Sequence, residues 1–231
     1  MLLPPRASQS RGADPVSSLA LMRWLESAPH RYDTGMRWLT LGRVSKLHDA
    51  LARAAAPEPG ARVLEIGCGT GAVTARLVAR GAQVTALDQN PEMLEQARSR
   101  LSEASVTWLE CTASEVDSLP PAGFDVVVAS LCLSEMSLRE RAFVLRELAQ
   151  RLRPGGVLAV ADEVKPGAAW QRVIHTVLRA PQALLAWLVA GSLSRPIPDL
   201  VAEVRAAGFA PRSEQRWLAG RLAVVTAERL A

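Results

Sequence analysis

The segment "RVLEIGCGTGAVTARLVARGAQVTALD", residues 62–88, limits the possible folds of this chain more than any other part of it. It reads as a short apolar strand, a turn with glycine at positions 67, 69 and 71, a helical pattern from Ala72 to Arg80 and a second apolar strand. Two strands joined by a helix in this way are parallel neighbours in one sheet. The segment therefore predicts an α/β fold with a buried parallel sheet.

The rest of the chain continues this alternation. Further strands are predicted by the runs at residues 106–111, 124–131, 156–164, 210–218 and 221–228. A helical pattern begins after Asn90 with Pro91 in its first turn, and another begins at Leu138 and is expected to end at "RPGG", residues 153–156. A further helix is predicted from Pro198 to Ala207, and Ala219-Gly220 between the last two runs is typical of a hairpin turn. The predicted fold class is a doubly wound, mostly parallel seven-stranded α/β sheet with an antiparallel C-terminal strand.

Three segments outside the sheet differ in composition. Residues 1–15 predict a disordered tail, and residues 16–56 predict an N-terminal helical cap of two helices. The second of these helices has one apolar side, made by Met36, Leu39, Val44 and Leu47. Residues 57–231 form the predicted ligand-binding domain, with an apolar helical insert at 168–195 whose uncharged part is too short to span a bilayer.

Charge and cysteine content narrow the classes of function. The net charge is +4, and the 27 basic residues are scattered, so we predict no nucleic-acid partner. The three cysteines and three histidines have no spacing typical of a metal site or a disulfide framework. We therefore predict no metal and a cytoplasmic location, and the first residues do not read as a signal peptide.

The strand ends predict the ligand. Asp88 ends the second strand, where an acidic residue binds ribose hydroxyls in nucleotide-binding α/β folds. A triphosphate loop would need Gly-Lys-Ser/Thr, which is absent here, whereas a dinucleotide turn is compatible with Ala72 in place of its third glycine. Glu65, however, is badly placed for a pyrophosphate and well placed for an ammonium group. S-adenosylmethionine, with an amino-acid end and an adenosine end, satisfies Glu65, the glycines and Asp88 together.

These residues resemble the class I S-adenosylmethionine-dependent methyltransferases over about residues 30–165. "LEIGCGTG" is similar to their first motif, and "ALDQNPEMLEQAR" to their second-strand motif. "FDVVVASLCLSEM" and "LRELAQRLRPGGVLAVAD" are similar to their fourth strand, the following helix and the fifth strand. The resemblance implies a Rossmann-like methyltransferase fold and S-adenosylmethionine as the cofactor.

The resemblance also implies the residues that bind this cofactor. These cofactor-binding residues lie near the methionine part and the sulfonium or near the ribose and adenine. They are Glu65, Gly67, Cys68, Gly69, Gly71, Asp88, Gln89, Met93 and Leu131. Many relatives carry an acidic residue after the third strand that reaches the adenine amino group. Ala113 occupies that place here, so the adenine contact passes to Glu115 or to backbone.

Candidate catalytic residues follow from position. Ser130, Cys132, Ser134 and Glu135 come after the fourth strand, at the expected ligand edge. Glu135 is suited to orient an acceptor or accept its proton, but it equally suits the first turn of the next helix. The thiol of Cys132 is interpreted as a buried apolar group rather than a nucleophile. Asp162 and Glu163 end the fifth strand, where they border the cleft or shape a turn.

The segment "HRYDTGMRWLTLGR" is similar to the amino-terminal segment of quinone-ring methyltransferases, which closes over the cofactor. That likeness implies that Tyr32 contacts the sulfonium or the acceptor and that Arg43 contacts the cofactor carboxylate. The alternative is that Tyr32 packs in a helix turn. Tyr32 and Glu135 are the two predicted catalytic residues.

The methyl acceptor stays open, and of two competing resemblances the one that links it to a corrinoid-protein system is favoured. "LESAPHRYDTGMRWLTLGR", "LCLSEM" and "VADEVKP" together resemble methyltransferases associated with corrinoid proteins, although no D-x-H-x-x-G corrinoid motif is present. The apolar insert suits a lipophilic quinone-like acceptor, a partner surface or a membrane surface. Two hypotheses compete with the methyltransferase function. The first is a binding protein that holds the cofactor without transferring a methyl group, and the second is a nicotinamide oxidoreductase.

Overall fold

A computed structural model of the chain describes residues 42–166 and 196–230. Within these residues seven strands form one sheet: β1 Arg62–Ile66, β2 Gln83–Asp88, β3 Val106–Glu110, β4 Phe124–Ser130, β5 Leu152–Glu163, β6 Phe209–Trp217 and β7 Leu222–Arg229. The α-helices are α1 Val44–Ala55, α2 Ala72–Val78, α3 Pro91–Arg100, α4 Leu138–Arg151 and α5 Leu200–Ala206. Two short 3-10 helices span Ala113–Ser118 and Leu133–Glu135.

The strands lie in the order β3-β2-β1-β4-β5-β7-β6. Strands β1 to β5 pair in parallel, and β7 runs antiparallel between β5 and β6. The direction of winding reverses between β1 and β4, which creates a crevice at the carboxyl ends of these two strands. The predicted fold class is confirmed, and it puts the glycine turn after β1 at the edge where doubly wound sheets bind ligands.

The two faces of the sheet carry separate cores. On one face, residues such as Leu64 and Val127 pack with α4 and α5; on the other, Val63 and Val128 pack with α1 and α2. Side chains alternate along a strand, so Glu65 follows Val63 onto the face covered by α1 and α2. This alternation brings an acidic side chain beneath the first two helices.

Helix starts agree with capping chemistry. The Asn90 side chain accepts hydrogen bonds from the backbone N–H groups of Glu92 and Met93, and Pro91 occupies the first turn of α3, as predicted. The predicted second helix of the cap is corrected, because Gly42 has a φ of +73° and α1 begins only at Val44. The predicted helix is therefore not continuous through Gly42, and its predicted residues Met36 and Leu39 lie outside the described residues.

Two other boundaries differ from the sequence prediction. The segment "RPGG", expected to end α4, lies within β5, which starts at Leu152 directly after the helix and pairs irregularly near Phe124. Helix α5 begins at Leu200 rather than at residue 198, because Asp199 caps it through the Ala202 N–H. Both differences move an element end by a few residues and leave the topology unchanged.

Several predicted segments lie outside the described residues: the tail at 1–15, the cap up to residue 41, and the insert at 168–195. The chain leaves and re-enters the described part at one place, since Lys165 N–H donates to the Ile197 carbonyl and Ile197 N–H to that of Glu163. The described residues on both sides of the insert thus lie at the carboxyl end of β5. Across residues 42–166 and 196–230, no helix has the length and apolarity that a bilayer crossing requires.

Candidate functional site

Two adjoining cavities lie at the carboxyl edge of the sheet. The first, here called the Asp88 cavity, has a volume of about 250 Å³ and is lined by the ends of β1, β2 and β4 and by residues 112–114. The second, the Glu65 cavity, has a volume of about 260 Å³ and is lined by parts of α1, the glycine turn and α2. The residues that line both cavities are Gly67, Gly69, Ser130 and Leu131.

The glycine turn separates structural from ligand-facing positions. An added Cβ at Gly67 would lie 2.8 Å from the Cβ of Cys132, so this residue lets the β1 and β4 ends approach each other. At Gly69, with a φ of +52°, an added Cβ would meet no atom within 4 Å among the described residues. The surface above Gly69 is therefore open toward both cavities, as a ligand cradle requires.

Gly71, which was also predicted to face the ligand, lies against helix α3. Gly71 lines neither cavity, and a Cβ there would lie 3.1 Å from the Cβ of Ala97 on α3. Its small size serves the close packing of the turn on that helix.

Asp88 connects the strand end to the turn. Its Oδ2 accepts a hydrogen bond of 2.8 Å from the Gly69 N–H, and its Oδ1 accepts one of 2.9 Å from the Asn90 N–H. Burial raises the pKa of Asp88, while these backbone donors act in the opposite direction. Each carboxylate oxygen can accept a further bond on the cavity side, which suits a pair of ribose hydroxyls.

Glu65 is a buried carboxyl group at the other cavity. Its side chain is only 1% exposed, and its Oε2 accepts a hydrogen bond of 2.7 Å from the Thr74 hydroxyl on α2. Burial is the main reason that its pKa is raised to about 8; Thr74 opposes the shift and the nearby Asp88 carboxylate adds to it. A carboxyl group with a pKa of about 8 is mostly protonated at pH 7.

The pH dependence of the free energy of unfolding should reveal the raised pKa of Glu65. The pKa of Glu65 rises from 4.5 to about 8 on folding, so its proton is held in the folded protein and lost from the unfolded chain between these pH values. Its contribution is complete below pH 4.5 and is lost as pH rises toward 8, at up to about 1.4 kcal/mol per pH unit. Urea unfolding from pH 5 to 8 should show wild type losing stability relative to Glu65→Gln. Parallel curves would contradict the shift.

The Glu65 cavity is also lined by two basic residues that were not predicted from the sequence, Arg76 and His48. Arg76 on α2 donates to Asp49 Oδ1 at 2.6 Å, to Ser45 Oγ at 2.9 Å and to the Ala72 carbonyl at 2.6 Å. These bonds use three of the five guanidinium N–H groups and fix its orientation. His48 of α1 lines the same cavity. The i, i+3, i+4 spacing of Ser45, His48 and Asp49 was the signal that could have revealed this polar helix face.

The segment that connects β4 to α4 forms part of the cavity wall. Leu131, predicted to contact the cofactor, lines both cavities with a left-handed φ of +55°, an unusual conformation for a non-glycine residue. The Cys132 thiol donates to the Ile66 carbonyl, and burial raises its pKa well above the ordinary value, so it is no thiolate nucleophile. Glu135 and Met136 line the Asp88 cavity.

Asp162 has a structural position. It is fully buried, with a pKa raised by burial to about 6, and it accepts hydrogen bonds from the N–H groups of Leu133, Ser134 and Glu163. Of the two alternatives from the sequence, a border of the cleft or a turn residue, the contacts favour the turn.

The far wall of the Asp88 cavity contains the residues predicted near an adenine. Gln89 and Met93 line it together with Ala113. Glu115 does not line it, because its carboxylate forms a capping box with the N–H and hydroxyl of Thr112. Of the two alternatives from the sequence for the adenine contact, Glu115 or backbone, the cavity lining favours the backbone of residues 112–114.

The remaining predicted residues are Arg43, Tyr32 and Cys68. Arg43 is exposed at the start of α1 and lines neither of them. Tyr32 lies outside the described residues. Cys68 lines the Glu65 cavity, as a buried thiol whose pKa is raised by burial. Among the described residues, no group of acidic, histidine or cysteine side chains is arranged to hold a metal ion.

Comparisons with known proteins agree with this architecture. Residues 63–156 match the family described as "Methyltransferase domain". An uncharacterized methyltransferase of Mycobacterium tuberculosis is 37% identical over 119 residues, which is 52% of this chain and 59% of the relative. A ribosomal RNA small subunit methyltransferase A of Anaeromyxobacter is 30% identical over 186 residues, 67% of this chain and 65% of the relative.

A ubiquinone biosynthesis O-methyltransferase of Xanthomonas campestris is 35% identical over 115 residues, 48% of this chain and 47% of the relative. This chain thus spans less than two thirds of the curated relatives it matches. Among solved structures, a 1,6-didemethyltoxoflavin-N1-methyltransferase of Burkholderia thailandensis, with S-adenosylhomocysteine bound, superposes with a TM-score of 0.60 at 23% identity. The match covers 97% of this chain and 94% of that one, and it shows a shared fold.

Proposed function

We propose that this chain, a member of the class I S-adenosylmethionine-dependent methyltransferases, transfers a methyl group from S-adenosylmethionine to a small-molecule acceptor. The observation that carries the proposal is the pair of adjoining cavities, with the Asp88 carboxylate in one and the Glu65 carboxyl in the other. S-adenosylmethionine has ribose hydroxyls at one end and an amino-acid group at the other. Each end therefore meets chemical groups that can bind it.

The adenosine end fits the Asp88 cavity. The carboxylate of Asp88 is held by two backbone N–H groups and can accept the ribose hydroxyls. Met93 and Ala113 supply apolar surface for an adenine ring, and the open surface above Gly69 leaves room for the ligand against the backbone. A side chain at position 69 would occupy this room.

The amino-acid end fits the Glu65 cavity. Glu65 lies within this cavity's wall and can pair with an ammonium group, which would favour its ionised form. His48 and the pre-oriented guanidinium of Arg76 can bind a carboxylate in the same cavity. These two residues replace Arg43 in our proposal for the carboxylate contact.

The chemistry requires alignment more than acid–base help. S-adenosylmethionine, when bound, supplies a methyl group on a positively charged sulfur, which is a good leaving group. The residues of this chain hold the two ends of the ligand and exclude water, so that an acceptor atom can attack in line. Glu135 lines the Asp88 cavity and is our candidate to orient the acceptor or take its proton; Tyr32 stays a prediction.

A small-molecule acceptor is favoured over nucleic acid by the charge of the site. Besides Asp88, Glu135 and Glu140 line the Asp88 cavity, and nucleic-acid phosphates would be repelled by this acidic wall. The acidic wall weighs against an RNA substrate, although one relative is named a ribosomal RNA methyltransferase.

Within this function we retain the proposal that the acceptor belongs to a corrinoid-protein system, on the sequence resemblance given above. The second candidate is a lipophilic quinone-like acceptor, which the partial likeness to a ubiquinone biosynthesis O-methyltransferase supports. A protein that binds the cofactor without turnover is the third. The cytoplasmic location and a contact of the apolar insert with a membrane surface also stay predictions.

The test begins with calorimetric titration of S-adenosylmethionine and S-adenosylhomocysteine into the purified chain, with NAD as the control. Micromolar binding of the first two ligands and none of NAD supports the proposal. Methyl transfer is then measured with a corrinoid protein or a quinol as the added acceptor. Turnover with one of them selects between the two candidates, whereas binding without turnover with any acceptor favours the accessory protein. No binding of either ligand would contradict the proposed function.

A further inference from the structure

The short turn between β4 and α4 is held by buried charges from both sides. This turn, residues 133–136, supplies Glu135 and Met136 to the wall of the Asp88 cavity. On one side the Asp162 carboxylate accepts from the Leu133 N–H at 2.8 Å and the Ser134 N–H at 3.2 Å. The backbone N–H groups of Leu133 and Ser134 are thereby fixed to strand β5.

On the other side the guanidinium of Arg141 holds the carbonyl groups. Its Nη1 donates to the Leu133 carbonyl at 3.2 Å and to the Met136 carbonyl at 3.1 Å. The same guanidinium forms a two-bond pair with Glu203 on α5, with Nε–Oε2 at 2.5 Å and Nη2–Oε1 at 2.9 Å. The Arg141 side chain is 5% exposed and that of Glu203 is 17% exposed, so this pair is shielded from water.

We infer that Arg141 and Glu203 are positioning residues for the ligand site: Glu203 orients the Arg141 guanidinium, which holds the 133–136 turn and so shapes the wall of the Asp88 cavity. A guanidinium without its carboxylate can rotate toward other acceptors, and the two carbonyl bonds then weaken. The inference rests on the proposed function, because it assigns to this cavity the adenosine end of the cofactor.

The chain offers a matched control on the same helix. Arg151 and Glu147, also on α4, form an ion pair of 2.9 Å with side-chain exposures of 7% and 15%. Neither residue lines the two cavities. Glu203→Gln and Glu147→Gln therefore each remove one carboxylate from a pair of similar burial, but only the first removes a partner of the residue that holds the turn.

The experiment measures the affinity for S-adenosylhomocysteine by calorimetry, the melting temperature, and amide hydrogen exchange of a peptide covering residues 131–137. We expect both variants to melt at lower temperature. In Glu203→Gln alone, the dissociation constant should rise about five- to tenfold and the turn amides should exchange several-fold faster. Arg141→Lys, which keeps the charge and loses the planar fork, should behave like Glu203→Gln and serves if that variant does not fold.

Equal affinities and equal exchange rates in Glu203→Gln and Glu147→Gln would overturn the inference, because the Arg141 pair would then be structural only. Wild-type protein that binds no S-adenosylhomocysteine would instead contradict the proposed function. In that case the exchange rates decide the inference: faster exchange of the turn in Glu203→Gln supports it, and unchanged exchange overturns it.

Discussion

Asp88→Asn is expected to weaken S-adenosylmethionine binding by about 2–3 kcal/mol, or roughly 30- to 150-fold in the dissociation constant. Both carboxylate oxygens accept from backbone N–H groups, of Gly69 and of Asn90. An amide has only one oxygen, so its NH2 group must face one of these two donors. The substitution therefore disturbs the turn and also removes the negative charge offered to the ribose hydroxyls. Calorimetric titration measures the loss.

The matched control is Asp125→Asn. Asp125 also accepts from a backbone N–H, that of Arg62 at 2.8 Å, and from the Arg153 side chain, but it lines neither cavity. We expect this variant to bind the cofactor as the wild type does. An Asp88→Asn protein with unchanged affinity would show that the ribose contact is elsewhere, and a similar loss in both variants would point to a general effect on stability.

Gly67→Ala is expected to reduce the free energy of unfolding by about 2–4 kcal/mol, from a backbone term and a packing term. The φ of Gly67 is +63°, which disfavours alanine, and the new Cβ would lie 2.8 Å from the Cβ of Cys132. Neither atom is at the end of a flexible side chain, so the β1 and β4 ends must separate. Because Gly67 lines both cavities, cofactor binding should be lost as well.

The Gly60→Ala variant separates the backbone contribution to this loss of stability from the packing contribution. Gly60 has a φ of +83° and nothing within 4 Å of an added Cβ among the described residues, so it carries backbone strain without a clash. We expect it to lower stability by only about 1 kcal/mol and to leave cofactor affinity unchanged. Urea unfolding of both variants measures the difference. If Gly67→Ala lowered stability no more than Gly60→Ala does, the close approach of the two strand ends would not be needed.

The part of the site that follows from local pattern was predictable. The β1 strand, the glycine turn and the acid at the end of β2 are contiguous in the chain, and a parallel sheet brings the carboxyl ends of its strands to one edge. Glu65, Gly69 and Asp88 were therefore assigned to the ligand before any contact was known, and each lines a cavity. Helix capping by Asn90 was predictable for the same reason, since its partners are two and three residues away.

Other assignments depended on contacts between distant segments. Gly71 belongs to the same turn as Gly69, yet it packs on Ala97, a contact that spacing cannot distinguish from a ligand contact. Arg76 lies in the site because α1 crosses α2 and presents Asp49 to it, across 27 residues of sequence. Glu115 differs from these, because the threonine that binds its carboxylate lies only three residues before it, and this Thr-x-x-Glu spacing is a local signal for a capping box.

By itself, the sequence determined the repeating strand–helix–strand unit, the edge of the sheet that faces the ligand, and the two carboxyl groups at that edge, Glu65 and Asp88. These features follow from hydrophobic periodicity and turn residues, which act over a few neighbouring positions. Only the tertiary structure decided which charged side chains are buried together. Arg141 pairs with Glu203, which is 62 residues away in the sequence, and it also donates to two carbonyl groups of the turn after β4. No local pattern in the sequence indicates the pairing with Glu203. Burial of a charge depends on what the rest of the chain packs around it, and that is settled by the fold as a whole.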